Sequence, residues 1–176
     1  MKVSVIIPVY NERETVAETI RRVRASPVEK EIIVVDDAST DETPVIVSSL
    51  AGDDLRLIRQ PDNRGKGAAI RRGLQDVTGE IVIIQDADLE YDPADYPALI
   101  APILAGEARV VYGTRAPRFD GMHWQHRLFN WIAAALANLL YRAGISDEAT
   151  CYKVFGAEVL RGISLECERF ESLELG

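Results

Sequence analysis

Apolar runs too continuous for a one-sided sheet constrain this chain more than any other feature. "VSVIIPV" at 3–9, "EIIVV" at 31–35 and "EIVII" at 80–84 have strand length and β-branched residues but little alternation. A strand with one wet face alternates apolar and polar residues; a strand buried on both faces does not. Both faces are covered when helices cross between parallel strands. The intervening segments read as those helices. "NERETVAETIRRVRAS" places Val16, Ile20 and Val23 at helical spacing behind Asn11, a good capping residue. "STDETPVIVSSLAG" opens on capping residues, "GKGAAIRRGLQDVTG" has glycines at its start and at Gly79, and "PADYPALIAPIL" opens on Pro93. The spacing predicts strands over 3–9, 31–37, 55–60, 80–86 and 108–115, with helices over 11–26, 39–52, 65–79 and 93–104. The fold class is therefore α/β, a Rossmann-like, mostly parallel central sheet with helices on both faces. A length of 176 residues fits one such domain.

Ligands of open parallel sheets bind beyond the carboxyl ends of the strands. Here those ends read "PVYNE", "DDAST", "DADLE" and "GTR". Polar residues concentrate where the topology would gather them around one crevice. The densest group is Asp86, Asp88, Glu90 and Asp92, directly after a buried strand. Like charges this close repel and each loses hydration, a conflict that a cation resolves. An acidic cluster with an arginine nearby suits a divalent metal holding a phosphate-bearing ligand.

Charge and composition remove other classes. With 28 acidic against 20 basic residues the net charge is −8, which argues against general nucleic-acid binding. Cys151 and Cys167 make neither a disulfide framework nor a zinc site and read as structural thiols in a reduced, cytoplasmic setting. His123 and His126 read as surface or hydrogen-bonded histidines. No stretch reaches the roughly 18 apolar residues of a membrane-crossing helix. The uncharged segment "LFNWIAAALANLLY" at 128–141 has three readings. It is a buried core helix, an apolar face toward a lipid tail or membrane surface, or part of a homodimer contact.

"SVIIPVYNE", "EIIVVDDAST", "RGKGAA", "GEIVIIQDADLEYDP", "VVYGTR" and "SDEATCYKVFGAEVL" follow one another in an order that resembles the family-two glycosyltransferases of GT-A fold. The similarity is to the subgroup of dolichol-phosphate mannose synthases and polyprenyl-phosphate glycosyltransferases, and it runs from Lys2 to about Phe170. It implies a metal-dependent, inverting transfer of a sugar from a UDP- or GDP-sugar to a polyprenyl phosphate. It implies nucleotide contacts at Pro8, Tyr10, Glu12 and Asp37. The family's aspartate pair falls on Asp36 and Asp37, and the plainer reading of Asp36 is that it organises its loop through side-chain to backbone hydrogen bonds. Asp86 and Asp88 would bind Mg²⁺ or Mn²⁺ and the diphosphate, with Ala87 between them. Glu90 stands where some lipid-phosphate members have a metal-binding Gln; it keeps an oxygen ligand and adds charge. Arg115 and Arg127 resemble arginines that hold phosphate groups, although Trp131 stands where such members have a Ser. Family members continue with more helix and strand after the "CYK" region, so 1–176 is expected to be a single catalytic domain truncated at its C-terminal end.

The chemistry fits these residue types. Sugar transfer passes through an oxocarbenium-like state while a diphosphate leaves with growing negative charge. Hard oxygen ligands hold the cation that offsets it. An anionic lipid phosphate needs cations rather than a base, and Arg115 and Arg127 fit that need. A sugar hydroxyl, the alternative acceptor on a cell-surface glycan, needs a carboxylate base, for which Asp147 is the candidate. A nucleotide-binding fragment without turnover is the non-catalytic alternative. Plainer readings stand beside each site residue: strand-end packing for Pro8 and Tyr10, helix N-terminal charge for Glu12, a surface ion pair for Arg115, a helix cap for Asp147. Lys66 is a candidate nucleotide contact, but its glycines match neither a P-loop nor G-x-G-x-x-G, since Ile70 stands at the last Gly position. A phospho-acceptor receiver domain would carry its acidic pair after the first strand and a Lys after the fifth; this chain has "PVYNE" and Arg115 there.

Overall fold

The computed structural model describes residues 1–113 and 152–162. Its sheet is built from β1 (Val3–Val9), β2 (Lys30–Asp36), β3 (Leu55–Arg59), β4 (Ile81–Ile84), β5 (Val110–Tyr112) and β6 (Lys153–Gly156), in the order β3-β2-β1-β4-β6-β5. β1 pairs parallel with β2 and β4, and β2 parallel with β3. β6 runs antiparallel between β4 and β5. The helices are α1 (Val16–Ala25), α2 (Thr43–Ser49), α3 (Lys66–Leu74), α4 (Tyr96–Leu104) and α5 (Ala157–Gly162), with a 3₁₀ turn over Pro93–Asp95 before α4.

Successive residues of a strand point to opposite faces, so each continuous run feeds two cores. Val3, Val5, Ile7, Ile81 and Ile83 pack with Val16, Ile20 and Val23 of α1, Val47 of α2, and Tyr96 and Ile100 of α4. Ile6, Ile33, Val35, Val82 and Ile84 pack on the other face with Ala69 and Ile70 of α3 and Phe155 of β6. Small residues let α3 approach: a Cβ on Gly73 would stand 2.9 Å from Ile6 Cγ2.

Three local expectations are corrected. The first helix begins at Val16, after Thr15, rather than at residue 11. Asn11 instead adopts φ +56° and accepts a hydrogen bond from the Thr40 amide at 2.9 Å, because an αL residue cannot start a helix. The predicted strand over 80–86 ends at Ile84; the Gln85 amide still donates to the Ile6 carbonyl of β1 at 2.9 Å, and the chain turns after it. β6 was not among the predicted strands; it lies inside the "CYKVFG" stretch and inserts between β4 and β5. Among the described residues no helix is long and apolar enough to cross a membrane.

Candidate functional site

The carboxyl ends of β1, β2 and β4 lie side by side, since Val9 pairs with Asp36 and Ile6 with Ile84. The loops that leave them are tied together by side chains. The Asn11 amide donates to Ser39 Oγ at 2.9 Å, and the Glu12 amide donates to Thr43 Oγ1 at 2.8 Å. Asp36 is fully buried; its Oδ1 accepts from the Ser39 amide at 3.0 Å, and Arg59 Nε lies 3.1 Å from its Oδ2. Asp37, only 3% exposed, shapes the glycine loop ahead of α3. Its Oδ1 accepts from Gln60 Nε2 at 2.6 Å and the Arg64 amide at 2.9 Å, and its Oδ2 accepts from the Gly65 amide at 2.7 Å. A carboxylate has about four acceptor directions, so one remains for a ligand.

These ends enclose a cleft of about 250 Å³ lined by Pro8, Val9, Tyr10, Glu12, Asp37, Lys66, Ala69, Asp86, Ala87 and Asp88. Tyr10 is 46% exposed, so its ring is open to a ligand. Lys66, at the start of α3, reaches across so that Nζ lies 2.5 Å from Asp86 Oδ1. Asp86 is part-buried and Asp88 exposed. Glu12 Oε2 accepts from Thr15 Oγ1 at 2.7 Å, so it serves the N-terminus of α1 while lining the cleft.

The structure thus brings together Pro8, Tyr10, Glu12, Asp37, Lys66, Asp86, Ala87 and Asp88. Glu90 is exposed and does not line the cleft; its amide donates to Asp88 Oδ1 at 3.0 Å. Arg115, Arg127, Asp147, Trp131, His123, His126, Cys151, Cys167 and the segment 128–141 lie outside the described residues. Among the described residues no three or more His, Cys, Asp or Glu side chains gather around one point. Two carboxylates opening on a cleft fit Mg²⁺ or Mn²⁺, since Mg²⁺ is commonly held by one or two carboxylates, with waters and ligand phosphates completing its shell.

Sequence reasoning missed the groups beneath the turn. Gln85 is 1% exposed, its Oε1 accepts from Tyr96 Oη at 2.7 Å and Tyr152 Oη at 3.0 Å, and its Nε2 donates to the Asp86 carbonyl at 2.9 Å. The signal was a polar residue closing an otherwise apolar run, "IVIIQ".

A mostly parallel sheet of this order, with paired aspartates opening on a cleft at its carboxyl edge, has the GT-A architecture of its solved neighbours. The chain belongs to glycosyl transferase family 2, whose profile matches residues 4–163. It is 28% identical over 179 residues to the dodecaprenyl-phosphate galacturonate synthase of Rhizobium johnstonii, covering 97% of this chain and 53% of that one. It is 40% identical over 120 residues to an undecaprenyl-phosphate 4-deoxy-4-formamido-L-arabinose transferase of Enterobacter sp. strain 638, covering 64% and 36%. It is 37% identical over 118 residues to the dolichol-phosphate mannosyltransferase of Pyrococcus furiosus, covering 65% and 33%. The chain therefore spans about half the length of the first of these relatives and about a third of the other two. Among solved structures, glucosyl-3-phosphoglycerate synthase from Mycobacterium tuberculosis, in complex with Mn²⁺, UDP and phosphoglyceric acid, superposes with a TM-score of 0.68 at 26% identity, covering 90% of this chain and 57% of that one. Mannosyl-3-phosphoglycerate synthase from Rubrobacter xylanophilus gives 0.72 at 26% identity, covering 90% and 55%.

Proposed function

We propose that this chain carries the nucleotide-sugar site of a metal-dependent glycosyltransferase that transfers a sugar to a polyprenyl phosphate. The observation that supports it most is the cleft at the ends of β1, β2 and β4, with Asp86 and Asp88 on one wall and Tyr10 and Asp37 on another. In this reading Pro8, Tyr10 and Asp37 hold the base and ribose, with the one free acceptor direction of Asp37 toward the base. Asp86 and Asp88 hold Mg²⁺ or Mn²⁺, which when bound offsets the charge that develops on the leaving diphosphate. Lys66 gives up its contact with Asp86 and turns to the diphosphate. Arg115 and Arg127 are assigned to the acceptor phosphate on sequence alone. The acceptor class rests on relatives named for dodecaprenyl, undecaprenyl and dolichol phosphate. The donor is proposed as a UDP-sugar, because the M. tuberculosis glucosyl-3-phosphoglycerate synthase is complexed with UDP and Mn²⁺ or Mg²⁺. The chemistry would then take place at the cytoplasmic face of a membrane.

A hydroxyl acceptor is the second reading, favoured by the phosphoglyceric acid bound in the M. tuberculosis relative. Parallel incubations with radiolabelled UDP- and GDP-sugars and Mn²⁺, one with undecaprenyl phosphate and one with phosphoglyceric acid, separate the two. Label that moves into the organic phase as an acid-labile glycolipid supports the first. Transfer only to a hydroxyl-bearing acceptor supports the second.

A further inference from the structure

Two consecutive backbone carbonyls of the Asp86–Asp88 turn are held from below by side chains. Gln85 Nε2 donates to the Asp86 carbonyl at 2.9 Å, and Thr19 Oγ1 of α1 donates to the Ala87 carbonyl at 3.1 Å. The Gln85 amide has one workable orientation. Its Oε1 accepts from both tyrosine hydroxyls, Tyr96 of α4 at 2.7 Å and Tyr152 beside β6 at 3.0 Å. A flipped amide would set its oxygen against the Asp86 carbonyl, two acceptors facing each other. The phenols are themselves fixed: the Tyr96 and Tyr152 rings meet edge to face at 5.9 Å, and Tyr91 packs on Tyr152 at 4.7 Å. The Thr19 hydroxyl has one proton and also lies 3.1 Å from the Thr15 carbonyl, so it is the weaker half of the clamp. Beyond the clamp the chain passes through Leu89 at φ +65°, which turns it back toward the 3₁₀ turn. With both carbonyls drawn inward, the Asp86 and Asp88 side chains are left on the cleft wall.

We propose that Gln85 is a positioning residue for metal binding: its amide, oriented by Tyr96 and Tyr152 and helped by Thr19, fixes the backbone of the turn so that Asp86 and Asp88 meet the cation together. The inference rests on the metal-nucleotide reading of the cleft. It makes Gln85, a buried residue beneath the turn that does not itself line the cleft, a determinant of metal affinity. Groups that orient ligating carboxylates are worth about 10- to 100-fold in metal affinity or activity.

The test uses the full chain and three variants. Gln85→Met keeps the volume and removes every bond of the amide. Tyr152→Phe removes one hydroxyl. Val47→Ala opens a cavity under α2, an element that holds none of the clamp's hydrogen-bonding groups, as a control for lost stability. UDP binding is measured by calorimetry at stepped Mn²⁺, and hydrogen exchange of the 85–91 peptide is followed by mass spectrometry in metal-free protein. Gln85→Met is expected to need about tenfold more Mn²⁺ for half-maximal UDP binding and to exchange faster at 85–91. Tyr152→Phe is expected to shift both in the same direction by a smaller factor. Val47→Ala is expected to lower Tm and move neither. A folded Gln85→Met with the wild-type Mn²⁺ midpoint overturns the proposal, as does a Val47→Ala shift of equal size. Should Gln85→Met not fold, an unchanged midpoint in Tyr152→Phe overturns it. A wild-type chain that binds no UDP with any metal sinks the metal-nucleotide reading and the metal role of Gln85 with it; the exchange comparison then decides whether the clamp orders the turn at all.

Discussion

Ala38, Asn11 and Leu89 occupy the left-handed region, at φ +61°, +56° and +65°, and each follows a strand whose end lines the cleft. An L-residue with a Cβ pays roughly 1–2 kcal/mol there, and such strain gathers at functional sites. Asn tolerates the conformation, and Asn11 repays it by accepting from the Thr40 amide. Ala38 has no side chain with which to do so. Ala38→Gly is expected to raise stability by about 1 kcal/mol, read as a higher urea midpoint with an unchanged slope. Among the described residues that line the cleft Lys66 is the cation, 2.5 Å from Asp86. Lys66→Ala is expected to weaken UDP binding about tenfold at saturating Mn²⁺, the size of a lost charge-assisted hydrogen bond; titration calorimetry would report it, and an unchanged affinity would remove Lys66 from the site. Individual roles were only partly legible in the sequence. Asp86 is singled out by its place after a buried strand, and Asp37 by the family resemblance. Asn11 was read as a helix cap because its short amide favours caps and left-handed turns alike. Thr19 and Gln85 look like ordinary core-facing polar residues until their partners, distant in sequence, are seen.

At the scale of elements, α3 is held on the sheet by contact so close that a side chain at Gly73 does not fit: an added Cβ meets Ile6 Cγ2 at 2.9 Å and Val35 Cγ2 at 3.2 Å. Gly73→Ala is expected to cost about 1–3 kcal/mol through overpacking, measured by thermal or urea unfolding. The amino ends of β1 and β2 are stapled by Glu31. Burial alone would raise its pKa, but hydrogen bonds from Ser4 Oγ, the Thr78 amide and hydroxyl, and Lys2 Nζ outweigh that and lower it to about 2. A carboxyl with a depressed folded pKa stabilises the fold above its unfolded pKa of 4.5 and loses that contribution as pH falls toward 2. Glu31→Gln is expected to destabilise the protein by about 2 kcal/mol at neutral pH, leaving buried donors unmet. Its unfolding free energy should also fall less steeply than wild type between pH 4.5 and 2. The parallel strands were legible because unbroken apolar runs have no other stable use. β6 was not. It spans only Lys153–Gly156, carries a lysine that is 6% exposed, and pairs antiparallel between β4 and β5. Strands consecutive in sequence usually neighbour each other, so nothing local reveals that insertion.

Over the whole molecule, residues spread from Pro8 to Asp88 meet at one carboxyl edge, and the sheet order rather than any single motif brings them there. This placement was readable from the sequence, because polar residues at the ends of buried strands have one crevice to share. The residues expected on the acceptor side, Arg115 and Arg127 by resemblance and Asp147 by the chemistry of a hydroxyl acceptor, lie outside the described residues. The most direct measurement is therefore on the nucleotide side. Calorimetric titration with UDP and GDP is run with Mn²⁺, with Mg²⁺ and with EDTA, on the wild-type chain and on Asp88→Ala. Binding of one nucleotide that requires the metal and vanishes in Asp88→Ala is the expected result, and it also fixes the donor class. Nucleotide binding that survives EDTA, or a folded chain that binds neither nucleotide with either metal, would contradict the assignment of the Asp86–Asp88 turn to a metal-held diphosphate.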